Sequence, residues 1–422
     1  TIHEGQVEDL VEILISYFNP NRLQWERDVL EGLEVLRQLA DQWQHAITEQ
    51  RPPGWLLKGI PRLIIEMVSR EDSGDRVFFS CLGLAITVLN ISPQKPIQDS
   101  FFAIFTSSSS ESFQFLNQLF LRMQQGEQET KLLMRTWQEM LQTDKSALKD
   151  YDSFLARLGN VVDYSDRSLH AILLRGFVDW DRSNSHVDSV FRFLHALCEG
   201  HNGKLQNFLR FQAGNVRSID MVTSVADFIV LSSGYINPLN IEIVKTAILA
   251  LAEMIQQPCR PNQKAVCETP ICTSANNILN MTAEHYVSHY QALKHIKPSE
   301  SDFEKYIDEA VACFDKKIYD LKASTITLLL ALLECVDEPE IPSLMLGSLN
   351  PDRLIQNMND LLFVYNPTLV YELEDKGQIE AWQTPAAPPI GDDSKVAEQE
   401  AEQVAEQFYI TYITLSQFDE SG

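Results

Sequence analysis

An all-α chain built from helix pairs is what this 422-residue sequence predicts. Three observations predict it. Apolar residues recur at helical spacing, period-two alternation bounded by hairpin turns is absent, and the breaks between apolar runs are short. Helices of this length joined by short breaks pack as stacked antiparallel pairs, so the expected architecture is an armadillo/HEAT-like α-solenoid. No clean fixed-period repeat is visible, so that expectation rests on helix lengths and loops alone.

Each element follows in order. The first helix reads over Val7–Phe18 and stops at Asn19-Pro20, because proline has no amide donor and restricts the residue before it. Gln24–Glu49 comes next, closed by Arg51-Pro52-Pro53-Gly54, then Leu56–Ser69, then Arg76–Leu89 with a stop at Ser92-Pro93. Ser112–Gln125 and Glu129–Gln142 read as two separate helices. Thr106–Ser110 is a serine run and reads as a loop, as do polar Tyr164–Ser185 and Pro/Ala-rich Thr384–Asp393. Val187, Val190, Phe191, Leu194 and Cys198 mark one helix ending near Gly200. A polar turn at His201–Gly203 and a second amphipathic helix with Leu205, Phe208 and Leu209 follow it. Ile241, Val244, Ile248, Leu251 and Ile255 place one apolar stripe along a helix ended by Gln257-Pro258. Asp302–Leu333, Pro351–Val364 and a final helix over Lys395–Leu415 complete the set. The expected organisation is a helical segment over 1–125, a variable connector over 126–185, a helical domain over 186–365, and an acidic linker with a C-terminal helix over 366–422.

Composition narrows the function. With 34 Lys+Arg against 59 Asp+Glu the formal net charge is −25. A chain this acidic lacks the cationic surface that supplies most nucleic-acid affinity, and it is poorly suited to an anionic membrane. Between Asn366 and Gly422 twelve acids face two bases, which is −10 of the total and reads as a solvated tail. The longest apolar runs, Cys81–Val88 and Ile326–Leu333, fall far short of the roughly 18–20 residues of a membrane span. The chain begins with Thr1 rather than Met and is expected to be a piece of something larger. Seven cysteines are too few and too odd for a secreted disulfide scaffold, so a reducing compartment fits. Cys81, Cys198, Cys313 and Cys335 stand among apolar residues and read as small core residues. Cys259, Cys267 and Cys272 cluster without the paired knuckle spacing of structural zinc, and read as reduced loop or core thiols.

Motifs of catalysis are missing. Neither GxxxxGK[ST], GxGxxG nor GxSxG occurs. His285 and His289 lie four apart but lack the Glu of a zinc helix. Asp302–Asp315 has acids but no central glycine, so it is no EF-hand loop. The sequence does not read as an enzyme.

One region is more specific. Phe191–Arg210 reads FRFLHALCEGHNGKLQNFLR, and Leu249–Gln263 reads LALAEMIQQPCRPNQ. The string LCEGHNGKLQNFLR followed by QPCRPNQ resembles the homology-associated helical region shared by inositol trisphosphate receptors and ryanodine receptors. The likeness extends to Asp75-Arg76-Val77-Phe78, Ile97-Gln98-Asp99-Ser100-Phe101-Phe102 and Phe115–Met123 before it, and to Lys322–Glu334 and Leu349-Asn350-Pro351 after it. It covers Leu56–Gln125 and His186–Gln356. Gly200 stands where the family usually has Asn, and Gln257 where it usually has Gly. Ser232–Asn237 resembles the inositol trisphosphate form more than the longer ryanodine one. The family's ligand-binding core, pore and luminal elements are missing from these residues.

The resemblance implies a site. In the family two glutamates of this region help form a cytosolic activating Ca²⁺ site completed by the channel's C-terminal part, and the matching positions are Glu199 and Glu253. At about 100° per residue, Glu199 falls roughly 100–120° from its apolar stripe and Glu253 about 150–180° from its own, so both are expected off the core and free to ligate. Ca²⁺ takes about six to eight oxygens, so the pair is a partial site. The implied function is a regulatory segment on the cytosolic face of the endoplasmic reticulum or a related store, coupling Ca²⁺ sensing to a pore outside the chain. Its partners are then other domains and subunits of a tetrameric channel. The competing expectation is a free-standing cytoplasmic scaffold or adaptor that docks another protein.

Overall fold

The computed structural model describes residues 4–16, 23–46, 52–70, 74–107, 109–142, 187–237, 240–257, 259–282, 303–335, 339–365 and 394–419. The His285/His289 pair, the Tyr164–Ser185 stretch, the Thr384–Asp393 linker and the side chain of Cys313 lie outside the described residues. Among the described residues every regular element is helical, as the sequence predicts. The chain divides into two compact units: residues 1–132, 181–228 and 249–262, and residues 133–180, 229–248 and 263–422.

In the first unit, α1 (Glu4–Ser16) and α2 (Leu23–Ala46) precede a π-helical turn at Trp55–Gly59 that runs straight into α3 (Ile60–Val68). α4 (Asp75–Leu89) packs against α2 and α3 and carries Phe78, Cys81, Leu82 and Val88 into the core. α5 (Lys95–Ser107) and α6 (Ser109–Gln142) follow almost without a break. The serine run predicted as a loop is therefore helical except at Ser108, which is not described. The hydroxyls are accommodated within it: Thr106 Oγ1 donates to the Phe102 and Ala103 carbonyls, and Ser107 Oγ to the Ile104 carbonyl, so these side chains bond back onto their own helix.

α6 also corrects the expected split into two helices. Gly126 falls in the expected break and is buried inside a continuous helix, where an added Cβ would overlap the side chain of Val187. Its role is close approach, a position only glycine fills. Asp75 pairs with Arg122 at 2.5 Å, and the Arg122 guanidinium sits 4.8 Å above the Phe78 ring, which fixes α4 to α6.

α7 (Asp188–Cys198) and α8 (Gly203–Arg210) are the two amphipathic helices predicted around the HN turn. A ring cluster holds them. Phe105 stacks on Phe208 at 5.3 Å, and Phe193 meets Phe101 at 6.0 Å and Phe115 at 5.7 Å, both edge-on. These rings bind α5, α6, α7 and α8 together through aromatic packing. The next helices are α9 (Met221–Ser233) and α10 (Ile241–Ile255).

After α10 the chain forms α11 (Arg260–Cys267) and α12 (Ile271–Leu279), which the sequence did not reveal. QPCRPNQ looks like a terminator because of its two prolines. Pro261 instead occupies the first turn of α11, where a missing amide donor costs nothing.

Within the second unit, α12 packs on α13 (Phe303–Leu333) and α15 (Pro351–Tyr365). α16 (Ser394–Asp419) packs on α13, α15 and the short α14 (Glu340–Leu346). Asn276 and Asn357 tie the ends together. Asn276 Nδ2 donates to the Ser348 carbonyl at 2.6 Å, and Asn357 Nδ2 to the Leu279 carbonyl at 3.0 Å. Cys335 is corrected too: it is exposed, in the left-handed turn that follows α13, rather than in the core.

Candidate functional site

Glu199 does not lie on a helix. α7 ends at Cys198, and Glu199 takes φ −50°, ψ 139°, so the angular placement predicted for it does not apply. Gly200 (φ 72°) and His201 (φ 63°) follow in left-handed backbone. Two successive residues of this kind reverse the chain within one turn. Glycine adopts the first without strain, and Asn tolerates it better than most residues, which gives a physical reason for the exchange at position 200. Asn202 then caps α8, its side chain accepting from the Leu205 amide at 3.5 Å.

Glu253 sits on α10, two residues before its end at Ile255, and is half-buried rather than fully off the core. Its backbone carbonyl accepts from Gln206 Nε2 at 2.8 Å. Among the described residues its Oε2 is buried and has no hydrogen-bond partner. Burial first, and then the negative charge of Glu199, push its pKa from 4.5 up to about 7. The structure therefore brings the two predicted residues into one electrostatic neighbourhood from positions far apart in sequence. Burial lowers the pKa of His195, and the Glu199 charge partly opposes that fall. Burial raises that of Cys198, with Glu253 and Cys259 adding to it.

The surroundings are mostly amide. Asn262 Nδ2 donates to the Gln206 carbonyl at 3.0 Å and the Met254 carbonyl at 2.9 Å, locking α8 to the end of α10. The thiol of Cys259 lies 3.6 Å from Asn207 Oδ1. Cys259, Cys267 and Cys272 are buried free thiols, with burial raising the pKa of each. No group of three or more His, Cys, Asp or Glu side chains capable of holding a metal occurs among the described residues. The pair offers hard oxygen donors and one oxygen lacking a partner, which suits a cation that prefers carboxylate oxygen, and it falls short of a full Ca²⁺ shell. No described helix is long and apolar enough to cross a membrane.

Sequence reasoning missed the amides. Gln98, Gln206 and Gln263 each stand eight or nine residues after the helix ends Leu89, Cys198 and Ile255, in the opening turn of the next helix. That recurrence was the available signal, and each glutamine was already inside a quoted motif.

The described residues define an all-helical protein in which two carboxylates share one electrostatic neighbourhood, and comparison with known proteins adds what it is similar to. Residues 181–279 match the family described as RyR and IP3R Homology associated. The chain is also similar to the inositol 1,4,5-trisphosphate receptor itr-1 of Caenorhabditis elegans, with 26% identity over 184 residues. That alignment covers 42% of this chain and 5% of the receptor. Through this region the chain resembles inositol trisphosphate and ryanodine receptors, and it spans about a twentieth of the length of the receptor it matches.

Proposed function

We propose that this chain is a cytosolic regulatory segment of an intracellular Ca²⁺-release channel, in which Glu199 and Glu253 supply part of a Ca²⁺ site. The observation that carries the reading is the Glu253 Oε2 atom, buried and partnerless within reach of the Glu199 charge. Two anions held together in a half-buried place repel each other unless a proton or a cation intervenes. Bound Ca²⁺ supplies the charge that lets both stay ionised. The rest of its oxygen shell comes from groups outside the pair, in other parts of a tetrameric channel on the cytosolic face of its store membrane.

The chain's residues do the positioning. α7 ends one residue before Glu199, so the turn and not the helix sets that carboxylate's direction. Glu253 leaves the last turn of α10, and Asn262 holds that turn to α8. Ligation across this segment and the pore module favours the arrangement in which the two meet, a population shift driven by differential affinity.

The test is Ca²⁺ activation of the full-length channel that carries these residues. The E199Q/E253Q pair keeps shape and removes charge. Half-activation is expected to move to Ca²⁺ concentrations at least tenfold higher, about 1.4 kcal/mol in binding. Unchanged activation would remove the Ca²⁺ role.

A further inference from the structure

Three buried glutamines make one and the same contact at three helix ends. Gln98 Nε2 donates to the carbonyls of Ala196 (3.2 Å) and Glu199 (2.7 Å). Gln206 Nε2 donates to those of Glu253 (2.8 Å) and Gln256 (2.9 Å). Gln263 Nε2 donates to those of Ala331 (2.8 Å) and Glu334 (3.2 Å). The paired acceptors always lie three residues apart at the close of a helix, where carbonyls have run out of intrahelical donors. The residue just past each pair has positive φ: Gly200 at 72°, Gln257 at 56° and Cys335 at 53°. The glutamines are 2%, 0% and 0% exposed, so each amide has been taken out of water to serve a backbone that would otherwise be unsatisfied. A repeat without a fixed period in the sequence is thus written in hydrogen bonds.

Two of the three contacts fall on the carboxylate pair. Gln98 binds the carbonyl of Glu199 itself, and its Oε1 accepts from Asn202 Nδ2 at 3.2 Å, so one amide holds the whole Ala196–Asn202 turn. Gln206 binds the carbonyl of Glu253 and stands on α8, the helix that Asn202 caps. A continuous path therefore runs from Gln98 through the Glu199 turn and α8 to Gln206 and Glu253. The third glutamine makes the same bonds at a helix end that holds neither member of the pair.

We propose that Gln98 and Gln206 are positioning residues for Glu199 and Glu253, fixing the backbone from which each carboxylate reaches a shared cation. The inference rests on the Ca²⁺ reading above. A group that orients a ligand contributes to affinity without touching the metal, typically about 10–100-fold.

Methionine is nearly isosteric with glutamine and donates nothing, so Q98M, Q206M and Q263M each remove one such contact. In the full-length channel, Q98M and Q206M are expected to raise half-activating Ca²⁺ roughly tenfold or more. All three variants are expected to lower the thermal midpoint of the same preparation to a similar extent, and Q263M to leave half-activating Ca²⁺ in place. Should Q206M fail to fold, Q98M against Q263M decides alone. An equal shift from Q263M would mean general destabilisation and overturn the proposal. Unshifted Q98M and Q206M, beside a shifted E199Q/E253Q, would overturn it while leaving the Ca²⁺ reading intact. An unshifted E199Q/E253Q would take both down.

Discussion

Burial and the Glu199 charge raise the Glu253 pKa from 4.5 to about 7, so between those values the folded chain keeps a proton that the unfolded chain has released. Stability therefore falls as pH climbs from 4.5 to about 7 and levels off above that. E253Q has no proton to lose there. Urea unfolding at pH 5 and pH 8 should show a smaller loss between the two for E253Q than for the parent chain, and equal losses would contradict the assignment. Lys322 works in the opposite sense. Burial lowers its pKa to about 8, despite the nearby Asp360 charge, so it lowers stability progressively as pH falls from 10.5 towards 8. Glu199 and Glu253 are legible only through motif likeness, because nothing in local spacing links a residue of a turn with one on a distant helix. Their proximity depends on how α7, α8 and α10 pack, which no local pattern encodes. Glu199 was also placed on a helix that has already ended, since the stop comes from Gly200 and His201 taking positive φ, and histidine does not advertise that conformation.

Among the elements, long amphipathic stripes were legible and short or shared ones were not. α10 lies where its stripe put it, because one apolar face facing a core is a strong constraint over fifteen residues. α11 and α12, eight and nine residues long, carry too few turns for a period to show. The α6 error has a different origin. Glycine inside a helical pattern costs about 1 kcal/mol against alanine and lowers the helix signal, yet Gly126 is there because Val187 leaves no room for a side chain. G126A should therefore destabilise by about 1–3 kcal/mol, the cost of overpacking, despite alanine's better helix propensity. A urea midpoint at or above that of the parent would show that Val187 yields.

At the scale of the molecule, all-α architecture was legible from period and break length, while the glutamine contact showed only as a shared offset from helix ends, with its acceptors unspecified. Periodic sequence is not needed when the same carbonyls can be satisfied by an amide arriving from differently spaced segments. Charge acts at this scale as well. A net −25 repels itself, and added salt screens that repulsion within about 10 Å at 0.1 M. Raising NaCl from 10 to 200 mM should move the thermal midpoint upward, and a falling midpoint would mean that pairs such as Arg122–Asp75 outweigh the repulsion.

The turn after α13 has a practical consequence. Cys81, Cys198, Cys259, Cys267 and Cys272 are buried, and burial holds their thiols protonated; Cys335 is exposed. A maleimide dye meets Cys335 ahead of those five, one residue from the carbonyl that Gln263 holds. The native chain thus offers an attachment point from which opening of one glutamine-clamped helix end can be watched by fluorescence.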